Sequence, residues 1–176
     1  VNSAAAAGVD FNSIREEAKQ LIGSLNANTL FGFVQHSRRY DAFQNTLVPA
    51  TVANKESALE WLDQRFRTDG NSGSGWRGGP GGSDGILPIL SFVFSMQPDV
   101  IFLISDGGYF TSEGNRPVPL KDVLNRIRDE QKQLPSDARI HAIHFRDDRN
   151  IQDGRVGSGM RRIATRNKGK YRRIGK

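Results

Sequence analysis

The sequence predicts an α/β domain: a doubly wound, mostly parallel sheet flanked by helices on both faces, its first strand truncated or missing. Three observations predict it. Apolar, β-rich runs alternate with segments of helical periodicity along most of the 176 residues, the pattern of successive βαβ units. The run Val100-Ile101-Phe102-Leu103-Ile104 has no polar interruption and stops abruptly at Ser105-Asp106-Gly107, as a strand buried on both faces of a parallel sheet does. The first visible element is a helix, preceded only by Val1-Asn2-Ser3-Ala4-Ala5-Ala6-Ala7-Gly8, whereas a doubly wound sheet opens with a central strand. Residues 1–176 are therefore expected to form one domain of a longer protein.

Ile14, Ala18, Leu21, Ile22 and Leu25 recur at helical spacing, which predicts an amphipathic helix over 11–25. Asn12 or Ser13 is placed to cap it, with Glu16 and Glu17 in the first turn. Residues 29–37 are β-rich and predict a strand, with Tyr40 to Val48 as its hairpin neighbour, closed off by Pro49. Asn54 then caps a helix carrying Ala58, Leu59, Trp61, Leu62 and Phe66. The Gly-, Ser- and Pro-rich stretch 68–85 is a loop, and loops of that length in compact domains are commonly functional. A helix is expected from Ser83 to Met96, then the strand 100–105. After a second Gly/Pro-rich loop, 107–119, come a helix over 120–133, a strand over 139–145, a helix over 158–167 and a short strand over 171–174.

Composition excludes several classes. The chain has no cysteine, hence no disulfide framework, thiolate metal site or cysteine nucleophile. Apolar runs stay well short of the roughly 18 residues that span a bilayer. The net charge of +6 is unevenly spread: residues 155–176 hold nine of the 25 Lys and Arg and none of the 19 Asp and Glu, leaving a net −3 on the remainder. A basic terminal segment can bind nucleic acid or anionic lipid. A solvated last helix and strand is the simpler reading, and nucleic acid is not the expected partner.

Asp106 ends a central strand, where open α/β sheets hold ligands. Its simpler role is to cap the Asp-Gly-Gly turn. Ser83 also suits the N-cap of the helix that follows, and Asp84 the first turn of that helix. His141 and His144, three apart on one strand, point to opposite faces, so they make no joint metal site. No Walker-type loop is present, since no Lys-Ser/Thr follows Gly78–Gly85. A lone strand-end carboxylate without a second acid or a balancing cation is a poor phosphoryl-transfer nucleophile, and no enzyme activity is expected.

The segments FGFVQHS, LVPATVANKESALEWLD, GGSDGILPIL, PDVIFLISDG, RIHAIHF and MRRIATRNKGKY occur in the order and spacing of a bacterial von Willebrand factor A domain. This chain resembles that family from about Phe11 to Ile174. The resemblance implies a Rossmann-like fold and a metal-ion-dependent adhesion site at the upper edge of the sheet, built from an Asp-x-Ser-x-Ser loop, a Thr and a strand-end Asp. On that pattern Asp106 matches the strand-end Asp, Ser83 falls at the Thr position and Asn2 at the first Asp. The two loop serines become Ala4 and Ala6. Mg²⁺ prefers carboxylates and other hard oxygens in an octahedron, so the resemblance implies a degenerate site, metal-free or weakly binding.

The function so implied is adhesion-type protein binding at the carboxyl edge of the sheet. Its contacts would be Trp76, Asp84, Tyr109 and Phe110, on the 70–84 and 106–117 loops. The alternative is polyanion binding through 155–176. By resemblance, the domain follows a membrane anchor outside this chain and works at the membrane or outside the cytoplasm.

Overall fold

A computed structural model describes residues 11–37, 39–67, 85–111, 116–145 and 153–174, the last from Gly157 onward for side chains. Among these residues the elements are, in chain order, α1 (Phe11–Ser24), β1 (Leu30–Phe31), β2 (Val34–His36), β3 (Tyr40–Ala42), β4 (Val48–Pro49), α2 (Val52–Arg65), α3 (Ile86–Ser95), β5 (Val100–Ser105), α4 (Leu120–Gln131), β6 (Arg139–Phe145), α5 (Asp153–Arg166) and β7 (Tyr171–Ile174). The expected α/β architecture is present. β5, β6 and β7 form a parallel sheet in that order, with Val100 opposite Arg139 and Ala142 opposite Tyr171.

The main core forms where α3, α4 and α5 cover one face of this sheet. Leu103, Ile140 and Ala142 meet Ile89, Leu90 and Phe94 of α3, Val123 and Ile127 of α4, and Met160, Ile163 and Ala164 of α5, all buried. On α4 and α5 these positions recur three and four apart, the stripe an amphipathic helix buries. α1 lies on the opposite face, where Phe11 meets Phe145 edge-on at 6.3 Å and Glu17 pairs with Arg172. A second core joins Ala18 and Ile22 of α1 to Ala58 and Leu62 of α2, with Phe31 and Ala50 between them.

Several expectations are corrected. β5 is not covered on both faces by the described residues: Val100 is 43% and Phe102 48% exposed. An uninterrupted apolar run records that a strand is apolar, not which neighbours reach each face. Among the described residues β5 pairs with β6 alone. The β-rich 29–37 segment divides, with β1 pairing β4 and β2 pairing β3, both antiparallel. Pro49 thus belongs to β4 and does not merely end it. α1 starts at Phe11, so Asn12 and Ser13 lie inside its first turn and Glu16 and Glu17 beyond it. Thr51, not Asn54, caps α2, its hydroxyl accepting from Asn54 N at 3.3 Å. α3 starts at Ile86 behind Gly85, three residues later than expected.

Side-chain hydrogen bonds tie the layers together. Buried Asp41 accepts from Arg65 Nε at 2.9 Å, fastening the end of α2 to the β2–β3 hairpin. Gln131 holds both backbone groups of Ala138 at 2.7 Å and donates to Asn167 Oδ1 at 3.1 Å. That one amide joins the end of α4, the start of β6 and the end of α5.

Glycine is required where backbones touch. A Cβ on Gly169 would lie 1.8 Å from the Ile140 carbonyl oxygen, whereas one on Gly23 would meet nothing within 4 Å. Gly169→Ala should therefore cost about 3 kcal/mol or more, because backbone has to move. Gly23→Ala, inside α1, should raise stability by up to about 1 kcal/mol. Urea unfolding of the two variants checks both signs.

Burial lowers the pKa of His36 below its ordinary 6.5, against a backbone hydrogen bond at Ser37 that raises it. His141 is lowered by burial and then by the charges of Arg139 and Lys170. The unfolded chain thus takes up these protons at a higher pH than the native one. Their contribution is complete above about pH 6.5 and is lost as pH falls below it. The urea midpoint should fall between about pH 7 and about pH 5.5, and fall less in His36→Gln/His141→Gln.

Candidate functional site

Strand β5 delivers Ser105 and Asp106 to the carboxyl edge of the sheet. Ser105 is buried, and its hydroxyl accepts from Gly107 N at 2.9 Å. Asp106, half-buried, accepts from Gly108 N through Oδ1, also at 2.9 Å. Gly107 sits at φ 75°, a conformation glycine adopts without steric cost. The Asp-Gly-Gly sequence therefore makes a side-chain-capped turn, and Asp106 fills the capping role while facing the edge.

The next two aromatic residues part company. Tyr109 is only 8% exposed, and its hydroxyl donates to Met160 Sδ at 3.2 Å. Burial pushes its phenol above the usual range; Ser105 opposes this by hydrogen bonding and the Asp106 charge adds to it. Tyr109 is thus a wedge beneath the loop, which corrects its expected role as a partner contact. Phe110 is 41% exposed and bridges to Pro117. Thr111 N donates to Arg116 O and Val118 N to Tyr109 O, each at 2.8 Å. The described ends of the 106–117 loop are therefore braced like a short ladder.

Gly85 brings the other loop to this place. It adopts φ +52°, and a Cβ there would lie 2.1 Å from the Phe110 carbonyl oxygen. The start of α3 is thus seated on the Phe110–Thr111 backbone, and the two expected loops converge at their described ends. Asn2, Trp76, Ser83 and Asp84 lie outside the described residues. For a hard divalent cation, the described donors at this edge amount to Asp106 and the Ser105 hydroxyl, each already bonded within the turn. That set does not fit an octahedral ion by itself, and no step is derived through a metal.

A second feature was only half legible. Between α5 and β7 lies a cleft of about 670 Å³. Ser158, Arg161, Arg162, Thr165 and Arg166 line it from the helix side, at the three- and four-residue spacing of one helix face. Arg173 and Tyr171, alternate residues on β7, line it from the strand side with His144 of β6 at the base. Tyr171 OH and His144 Nδ1 are hydrogen-bonded at 3.1 Å, and the Arg161 guanidinium lies 5.0 Å over the Tyr171 ring. Gly157 allows this approach, since a Cβ would fall 3.3 Å from His144 Cε1 and 3.4 Å from the Tyr171 hydroxyl. The arginine spacing was readable as basic sequence. The cleft was not, because it depends on the register of β7 against β6.

No family model matches the chain, and no curated protein matches its sequence. Solved structures do. A von Willebrand factor type A protein from Catenulispora acidiphila superposes with a TM-score of 0.59 at 17% identity, over 94% of this chain and 34% of that one. The conserved hypothetical protein BatB from Bacteroides thetaiotaomicron gives 0.58 at 12% identity, over 93% of this chain and 79% of that one. The chain thus spans about a third of the first neighbour's length. At these identities the likeness concerns architecture, and with the parallel sheet flanked by helices it establishes that this chain has the von Willebrand factor A fold.

Proposed function

We propose that the domain is a non-catalytic protein-binding module that engages its partner at the carboxyl edge of the sheet. The observation that carries this reading is Phe110, a 41% exposed aromatic on a braced backbone beside the Asp106 turn and Gly85. A rigid aromatic gives up little conformational entropy on binding and supplies much contact area, which is why such residues anchor interfaces. Trp76 and Asp84, on the segment leading to Gly85, would extend the same surface. The neighbours' fold supports this reading. With Ala4 and Ala6 in the place of hydroxyls, recognition would depend on loop surface more than on a bridging cation.

A second reading, polyanion binding through 155–176, is favoured by the arginine-lined cleft. Arg162 and Arg166 are exposed there, and no described carboxylate pairs with them. It concerns a different surface from the first.

Two measurements test the first reading. A photo-crosslinking phenylalanine analogue placed at Phe110 should give one discrete protein adduct in an extract of the source organism. The same analogue at Arg128, exposed near the opposite end of the sheet, should not. Equal adducts at both positions, or none at Phe110, would sink the proposal. Thermal melts after chelation, with and without millimolar Mg²⁺, Mn²⁺ or Ca²⁺, should coincide. A micromolar site at that concentration would add roughly 4 kcal/mol. Such a gain, absent in Asp106→Ala, would show a bridging cation and overturn the metal-independent part. Asp106→Ala itself should cost about 1 kcal/mol, the worth of its turn hydrogen bond.

A further inference from the structure

We propose that the α5–β7 cleft binds a small ligand carrying two or more phosphoryl groups. The inference rests on the polyanion reading of 155–176 and narrows it, from a diffuse basic surface to one concave site with a definable ligand class. Four arginines, Arg161, Arg162, Arg166 and Arg173, line one cleft of about 670 Å³. That volume lies in the range of small-molecule sites, well beyond what one inorganic phosphate fills.

Charge decides the sign of the ligand. Clustered cations repel one another and disfavour the empty state, so a multiply charged anion gains from Arg161, Arg162 and Arg166 together. Arg161, Arg162 and Arg166 form no ion pair with a carboxylate among the described residues. Their charge is therefore not spent inside the described fold.

Geometry decides the chemistry. A guanidinium presents a planar fork of donors that matches phosphate oxygens two at a time. On α5, Arg162 and Arg166 are four residues apart, hence one turn apart on the same face. They would address neighbouring phosphoryl groups across the cleft they both line. Arg161 is held over the Tyr171 ring, and Tyr171 is held by buried His144. One wall of the cleft is thus set before any ligand arrives, which lowers the ordering cost of binding.

The cleft is also separate from the carboxyl-edge surface. It sits over β6 and β7, whereas Asp106 and Phe110 follow β5.

The test is calorimetric titration of the full chain with tripolyphosphate at low salt. One site per chain is expected. Affinity should fall roughly tenfold or more in Arg162→Gln/Arg166→Gln and stay unchanged in Arg128→Gln, with thermal melts confirming that the variants are folded. Binding that is equally weak in wild type and the double variant, or that exceeds one site per chain, would overturn the proposal. Heparin retention, run in parallel, separates the two levels of inference. Heparin binding lost in the double variant without any tripolyphosphate binding would leave the broader polyanion reading standing and remove the cleft ligand. Failure of both would remove both. Flotation with phosphatidylcholine vesicles, with and without cardiolipin, identifies the source of the phosphoryl groups. Cardiolipin-dependent flotation that tripolyphosphate competes away would mark a lipid headgroup. Tripolyphosphate binding without flotation would mark a soluble phosphoryl compound. Either result supports the proposal.

Discussion

The packing of three helices onto one face of β5–β6–β7 is the constraint from which both candidate surfaces follow. Val123, Ile140, Ala142, Met160 and Ile163 are almost entirely shielded from water, and each large apolar side chain so buried stabilises by about 1.5–3 kcal/mol. Close-packed interiors do not tolerate loose backbone at their margins. The turn after α5 accordingly passes against the Ile140 carbonyl at Gly169, and Gln131 locks Ala138 and Asn167 in the same corner. Those contacts fix the height of α5 on the sheet, and hence which of its arginines can face β7.

The same packing shapes the carboxyl edge from below. Tyr109 is drawn inward because its ring completes the core between the loop and Met160. With Tyr109 anchored, the following backbone has to rise over it, which turns Phe110 outward and sets its carbonyl against Gly85. Exposure of one aromatic and burial of its neighbour are therefore a single structural event. Asp106 participates electrostatically, adding its charge to the burial that keeps the Tyr109 phenol protonated.

Much of the fold was legible in the sequence, because periodicity reports what each element does to its own side chains. The helical spacing of Ile14, Ala18 and Ile22 reappears as the buried stripe of α1, and the strands 139–145 and 171–174 match to the residue. What escaped were properties set by neighbours distant in sequence. The apolar run 100–105 could not disclose that Val100 and Phe102 are uncovered by the described residues, since coverage depends on what else reaches that face. Capping was misassigned for a local reason. Thr51 and Asn54 are both competent caps, and the choice followed from where β4 releases the chain into α2. Tyr109 and Phe110 look alike in sequence, and only the position of Met160 distinguishes them. Of the expected site, Asp106 stands at the strand end as read, while the partners at positions 2, 76, 83 and 84 lie outside the described residues.

Helix α5 is the one element common to both surfaces, and its construction argues that they act independently. Met160 reaches Tyr109 from its buried side, while Arg161 and Arg162 line the cleft on the other. Coupling through a helix requires an element with two discrete arrangements of similar energy. Here Met160, Ile163 and Ala164 are at most 1% exposed, and the helix end is pinned by Gly169 on β6 and by Asn167 on Gln131. Shifting α5 by even part of a turn would open cavities along that whole face, at a cost that grows with their volume. A ligand in the cleft gains nothing by imposing such a cost. It would gather exposed arginines that already face it, leaving the Tyr109–Met160 contact and the loop above it where they are.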